Sequence, residues 1–267
     1  MTGARRIASP QALADGEVTP KTIAILPLGA TEQHGPHLPP ETDWLIAEGI
    51  CDRLIARIGD SLDIVMLPAE RIGYSVEHIG FPRTQSFPYD EAIDRWIGIG
   101  EALADRGVRK LLLLNAHGGN SPLLTIVAQE LRARRAMLAV VTHWLRFGVP
   151  AEIMDEAERH LDIHAGRIET SVMLALHPDK VDMAKARDFP SLQARMIAGY
   201  AHLRAYGAHA FGWMMGDINP DGAAGNAAGA DAETGERLLG HAVDGLAVLL
   251  EDMARFAGFG ADAETSD

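Results

Sequence analysis

Four apolar runs of strand length, each followed by a segment with helical spacing, narrow most what this chain can become. They are 22–28 (TIAILPL), 63–68 (DIVMLP), 110–115 (KLLLLN) and 137–142 (MLAVVT). Runs this uniformly apolar suit strands covered on both faces. Between them, Ile46, Ile50, Leu54 and Ile58 recur every four residues, which predicts a helix over 43–58. Further helices are expected over 91–106 and 122–134, and 71–90 reads as a long Gly- and Pro-rich loop. Residues 1–20 are expected to hold a short helix and a loop. After Trp144 the pattern turns mainly helical, near 151–160, 167–177, 190–205 and 232–257, with the glycine-rich GDINPDGAAGNAAGAD before the last. Strands alternating with helices predict an α/β fold with a mostly parallel sheet covered on both sides. No internal repeat is visible, and one domain over 1–267 is the simplest reading.

The first apolar run leads into LPLGATEQHGPHLPPETD, dense in groups that hold metals: Glu32, His34, His37, Glu41 and Asp43. Glu32 and His34, two apart in extended chain, project to one side. Pro36, Pro39 and Pro40 stiffen the return to Asp43. Oxygen donors and an imidazole on stiff backbone suit a borderline or hard divalent ion. The third run ends in Asn115 and His117, followed by Gly118-Gly119. Ligands of open α/β sheets bind beyond the carboxyl ends of the strands, so two runs deliver donors to one edge. A third cluster, DIHAGRIETS, offers His164 and Glu169. Each has a plainer alternative. Asp43 stands where a helix takes an N-cap, Glu169 where the helix dipole favours a carboxylate, and His117 in a glycine turn. His37 and Glu41 are read as groups orienting the true ligands. Tyr74 and His78 are read as lining the pocket, and the remaining histidines, His143 among them, as structural.

Lys and Arg number 24 against 37 Asp and Glu, for a net charge of −13. A surface that acidic repels phosphate, so nucleic acid and anionic membranes are poor partners. A single cysteine, Cys51, excludes an internal disulfide and a thiolate cluster and fits a reducing cytoplasm. No apolar run follows Arg5 and Arg6, so no signal peptide is expected. The apolar stretch 238–259 carries too many charges for a membrane span.

With LPLGATEQHGPHLPPETD, LLLLNAHGGN and HAGRIETS on the page, the chain resembles the creatininase family of metal-dependent amidohydrolases, supported by GYSVEHIGFPRT and the late glycine-rich loop. The resemblance spans about residues 20–230. It implies a three-layer α/β/α sandwich, a homo-oligomer (often a hexamer) and a two-metal centre, zinc most often, manganese or iron otherwise. Glu32, Asp43 and His117 would hold one ion, and His34, the shared Asp43 and Glu169 the other. The sequence departs from creatininase itself at Gly119, where a glutamate is expected, and at Arg83, where relatives carry glycine. The first departure shifts the carboxylate role toward Glu169 and away from creatinine as substrate.

The chemistry implied is hydrolysis of a C–N amide bond in a cyclic amide, a formamide or a small peptide, by a metal-activated water. His164 would pass a proton to the departing nitrogen, and Trp144 and His78 would contact the small-molecule substrate. The alternatives are hydrolysis of a cyclic ketone or lactam on the same fold, or a non-catalytic protein binding a small molecule or anion at AHGGNS. That motif lacks a P-loop lysine and a dinucleotide fingerprint.

Overall fold

The computed structural model describes residues 3–14 and 16–259. Its centre is a five-stranded parallel sheet: β1 (Ala4–Arg6), β2 (Ile23–Leu28), β3 (Ile64–Met66), β4 (Lys110–Asn115) and β5 (Leu138–His143), in the order β1-β3-β2-β4-β5. The helices are α1 (Thr42–Ile58), α2 (Tyr89–Asp105), α3 (Ser121–Arg135), α4 (Glu156–Arg159), α5 (Arg167–Leu176), α6 (Leu192–Gly199), α7 (Met215–Ile218) and α8 (Ala232–Arg255). Two short strands, β6 (Asp188–Phe189) and β7 (Gly225–Asn226), pair antiparallel.

Strand alternation divides the interior into two cores. Ile23, Ile25, Leu112 and Leu114 point toward α1, α5 and α8, whereas Ala24, Leu26, Leu28, Leu111 and Leu113 point toward α2 and α3. Both faces of β2 and β4 are therefore dry, which is why these strands read as unbroken apolar runs. The layers are helix, sheet, helix, as the family resemblance implied.

Connectivity decides where a ligand can sit. From β2 the chain moves through α1 to β3 on one side, and from β4 through α3 to β5 on the other. The two connections use opposite faces, as right-handed crossovers demand. The direction reverses between β2 and β4, which pair in register from Ile23↔Lys110 to Leu28↔Asn115. Loops leaving neighbouring strands in opposite directions open a crevice at their carboxyl ends.

β1 carries no signature of its own, because three residues containing Arg5 and Arg6 form no apolar run. It is held by register with β3 and by an ion pair from Arg5 to Asp63 (2.6 Å). The segments expected as helices over 151–160 and 190–205 shrink to α4 and α6, four and eight residues. No helix among the described residues is long and apolar enough to cross a membrane.

Candidate metal centre

β2 ends beside the start of α1, so close that a Cβ on Gly29 would lie 2.4 Å from the Trp44 nitrogen. The Pro-rich loop folds back until the Glu32 N–H donates to the Pro40 carbonyl (3.0 Å). This closure brings Asp43, in the first turn of α1, to Glu32 and His34. From β4, the Asn115 side chain clamps the next turn: its Oδ1 accepts from the His117 N–H (3.1 Å) and its Nδ2 donates to the His117 carbonyl (2.5 Å). Asn120, which the sequence reading passed over, ties three segments together. It donates to the Gly29 carbonyl (3.1 Å) and to Asn115 Oδ1 (3.2 Å), and accepts from the Tyr74 N–H (2.9 Å).

The donors meet in the crevice with their side chains nearly dry; Glu32, His34 and Asp43 are each 1% exposed and His117 3%. Three imidazoles share one arrangement, in which a backbone carbonyl fixes one nitrogen and the other faces carboxylates. His117 Nε2–H donates to the Tyr74 carbonyl (2.8 Å), leaving Nδ1 3.2 Å from Glu32 Oε1 and 3.2 Å from Asp43 Oδ2. His34 Nδ1–H donates to the Glu32 carbonyl (2.9 Å), leaving Nε2 3.0 Å from Asp43 Oδ1 and 4.0 Å from Glu169 Oε2. His164 Nε2–H donates to the Gln33 carbonyl (2.7 Å), leaving Nδ1 3.7 Å from Glu32 Oε1. A carbonyl that fixes the tautomer while the second nitrogen is aimed inward is how proteins present imidazole to a metal.

Imidazole nitrogens and carboxylate oxygens this close need a shared proton or a cation between them. Asp43 Oδ2 is buried without a hydrogen-bond partner, a costly state for a carboxylate oxygen. Metal–ligand bonds of about 2.0–2.2 Å set adjacent donors roughly 3–3.5 Å apart, the range found around His117 and between His34 and Asp43. The donor set therefore fits divalent cations, with the two oxygens of Asp43 directed at different histidines.

The charges agree. Burial opposes ionisation of Glu32, but His117, His78 and His164 outweigh it and hold this carboxyl well below its usual range. Burial also opposes a charged His34, yet the Asp43 charge and hydrogen bond, with Glu169 and Glu32, lift it to about 10. His117 is raised for the same reasons, against its burial, by Glu32 and Asp43. Glu169 rises to about 7 through burial and the nearby Asp43 and Glu32 charges, against the pull of His34 and its own hydrogen bond. That bond comes from the Ala165 N–H (2.6 Å), so Glu169 braces the start of α5 as well as facing the centre. His164 is kept neutral by burial and by the nearby His34 and His78 imidazoles.

His78 lines the crevice, 3.5 Å from Glu32 Oε1 and with its ring tilted against that of His164, centroids 4.3 Å apart. Trp144 does not line it. The residue is 1% exposed and packs in the core shared with α8, because β5 ends at His143 and Trp144 opens the 3-10 turn that follows. Leu145, Phe211 and Trp213 line the crevice in its place. His37 is buried outside the crevice; its Nε2 lies 2.9 Å from the Thr170 hydroxyl, next to Glu169. Glu41 does not reach the centre and faces Arg83 at 3.9 Å on the surface.

Sequence reasoning missed several neighbours. Ser75 donates from Oγ to Glu32 Oε2 (2.5 Å), and Glu77 Oε1 stands 3.7 Å from His117 Nε2. Asp162 also lines the crevice, its carboxyl raised to about 7 by burial against a hydrogen bond from the Arg167 N–H. His143 ends the fourth apolar run and is held at about 4 by burial. It had a legible signal, since it follows its strand much as His117 follows the third run. The crevice measures about 870 Å³. A second cavity of about 420 Å³, at the amino ends of β4 and β5, is lined by Arg109, Lys110 and Arg132 and has no donor cluster.

Comparison with known proteins places these features in a family. Residues 8–250 match the creatininase model, described as creatinine amidohydrolase. A mycofactocin precursor peptide peptidase of Mycolicibacterium smegmatis is 34% identical over 161 residues, 60% of this chain and 60% of that protein's length. A creatinine amidohydrolase of Pseudomonas putida is 33% identical over 184 residues, 63% of this chain and 69% of that one. Among solved structures, "Creatininase Mn" superposes with a TM-score of 0.71 at 27% identity, over 88% of this chain and 92% of that chain. A mutant creatininase of "Zn-Zn type" gives the same values. By the extent of the family match and the agreement in fold, this chain belongs to the creatininase family.

Proposed function

We propose that the protein is a metal-dependent hydrolase of C–N amide bonds with a centre for two divalent ions. The observation that carries this reading is the inward face of Glu32, His34, Asp43 and His117, where imidazole nitrogens and carboxylate oxygens stand 3.0–3.2 Å apart. Glu32, Asp43 and His117 would hold one ion and His34, Asp43 and Glu169 the other. Zinc or manganese is the best-supported occupant, given the names borne by similar solved structures. Bound there, such ions supply Lewis acidity and acidify water from about 15.7 to about 7.

The chain's own groups do the rest. The carbonyls of Tyr74, Glu32 and Gln33 orient the three imidazoles, and Ser75 holds Glu32. His164, neutral and with Nδ1 free, takes a proton from the attacking water and returns it to the departing nitrogen, a role worth roughly 10²–10⁴-fold. Leu145, Phe211 and Trp213 give the substrate an apolar wall, and Arg146 and Arg159 stand at the same crevice.

A cavity of about 870 Å³ lies toward the upper part of the roughly 300–1,000 Å³ range for small-molecule sites. It supports a short peptide end as substrate over a ring of creatinine's size. A relative named 3-dehydro-scyllo-inosose hydrolase, of Thermotoga maritima, keeps a cyclic ketone as the second reading. The test is a hydrolysis screen of short peptides, formamides, cyclic amides and cyclic ketones with zinc- and manganese-loaded protein. Amide cleavage is expected in wild type and absent in His117→Ala, which also loses bound metal. Full activity in that variant would remove the assignment. His164→Asn should retain its metal while kcat falls roughly 10²–10⁴-fold.

A homo-oligomer is supported by Ile197, Tyr200, Leu203 and Tyr206, large apolar side chains exposed close together in sequence, and sedimentation analysis would decide it. A cytoplasmic setting is supported by the lone buried thiol of Cys51, whose pKa burial raises to about 12.

A further inference from the structure

The loop after β3 brings more to the crevice than a lining. Within five residues, 74–78, it supplies the Tyr74 carbonyl to His117, the Ser75 hydroxyl and the His78 ring to Glu32, and the Glu77 carboxylate to His117. Glu77 is the one of these with no settled role. Its side chain is 16% exposed, and among the described residues no lysine or arginine pairs with it. Its charged neighbours are His117 and the carboxylates of Glu32 and Asp43. With one atom each, Glu32, Glu77 and His117 form a group of three donors within 4.8 Å of one another. A further carboxylate crowded against two others is held there by a proton or by a cation.

Gly119 shows how room is made for it. A Cβ there would lie 2.6 Å from Glu77 Oε1, 2.5 Å from His117 Nε2 and 2.5 Å from the Tyr74 carbonyl oxygen. The volume that any other residue would fill at position 119 is taken up by the Glu77 carboxylate and the bond that orients His117.

We propose that Glu77 is a further carboxylate of the metal centre, delivered by the loop after β3, and that position 119 is glycine so that it fits beside His117. The inference rests on the metallohydrolase reading, and its role is that of a ligand or a group positioning His117. Glu77→Gln keeps the size of the side chain and removes its charge. Wild type and variant are stripped with a chelator, reloaded with Zn²⁺ and titrated against a chromophoric competitor; the visible spectrum of the Co²⁺-loaded proteins reports the coordination. The expected result is an unchanged melting temperature of the metal-free protein, Zn²⁺ affinity lower by roughly 10–100-fold, and an altered Co²⁺ spectrum. Glu77→Asp, which keeps the charge, recovers part of the affinity. Wild-type affinity and spectrum in Glu77→Gln overturn the proposal and leave the metallohydrolase reading intact. Loss of melting temperature in both metal-free variants, with no recovery in Glu77→Asp, assigns Glu77 to packing and also overturns it. A wild-type protein that takes up no ion overturns both readings.

Discussion

At the scale of residues, the centre is built from side chains whose second contact decides what the first can do. His117 presents Nδ1 to Glu32 and Asp43 because Tyr74 occupies Nε2, and Glu32 presents Oε1 because Ser75 occupies Oε2. Ser75→Ala removes that restraint without touching a donor. It should lower metal affinity by roughly 10–100-fold with little change in the stability of the metal-free protein, as read by chelator competition and a thermal melt. Arg83 illustrates a residue whose chemistry is incidental. Its side chain is exposed and pairs, among the described residues, with Glu41 alone, while its φ of 69° lies where glycine is at ease. A glycine there, as the family resemblance implied, would adopt that backbone without strain.

At the scale of elements, the helices are set by local pattern and the site by the turns between them. α1 and α3 start directly at the crevice, and α5 places Glu169 in its first turn. What fixes these starts relative to each other is Asn120, buried and bonded to the ends of β2 and β4 and to the loop after β3. Asn120→Ala strands the Tyr74 N–H and the Gly29 carbonyl. It should cost about 1–3 kcal/mol per group left unsatisfied and lower both the melting temperature and metal content; a variant as stable as wild type would mean that water replaces the side chain freely.

At the scale of the molecule, the reversal of strand order between β2 and β4 gathers acidic groups and imidazoles into one dry volume, and the metal-free protein must meet their charge with protons. His34 makes the pH dependence explicit. Its folded pKa, about 10, lies above the unfolded value of 6.5. Its contribution to stability is therefore fully present below about pH 6.5 and is lost as pH rises toward 10. The melting temperature of metal-free protein should fall across that window. Metal replaces the proton, so loading should release protons, strengthen with pH and flatten the decline. A metal-free melting temperature that rises from pH 7 to 9.5 would contradict this account of the centre.

The sequence by itself determined the layers and nominated the donors. Burial on both faces writes itself as unbroken apolar runs, helices as a four-residue recurrence, and ligand-type residues at strand ends follow from where a parallel sheet opens. Glu32, His34 and His117 were nominated in that way, and Asp43, His164 and Glu169 by donor type at or just before the start of a helix. The tertiary structure alone decided which nitrogen of each imidazole faces inward, that the two oxygens of Asp43 address different histidines, that Trp144 turns into the core, and that Glu77 lines the crevice while Ser75 and Asn120 brace it from behind. Those depend on distances between segments tens of residues apart, which are set by loop closure and strand order. Local spacing carries no record of them.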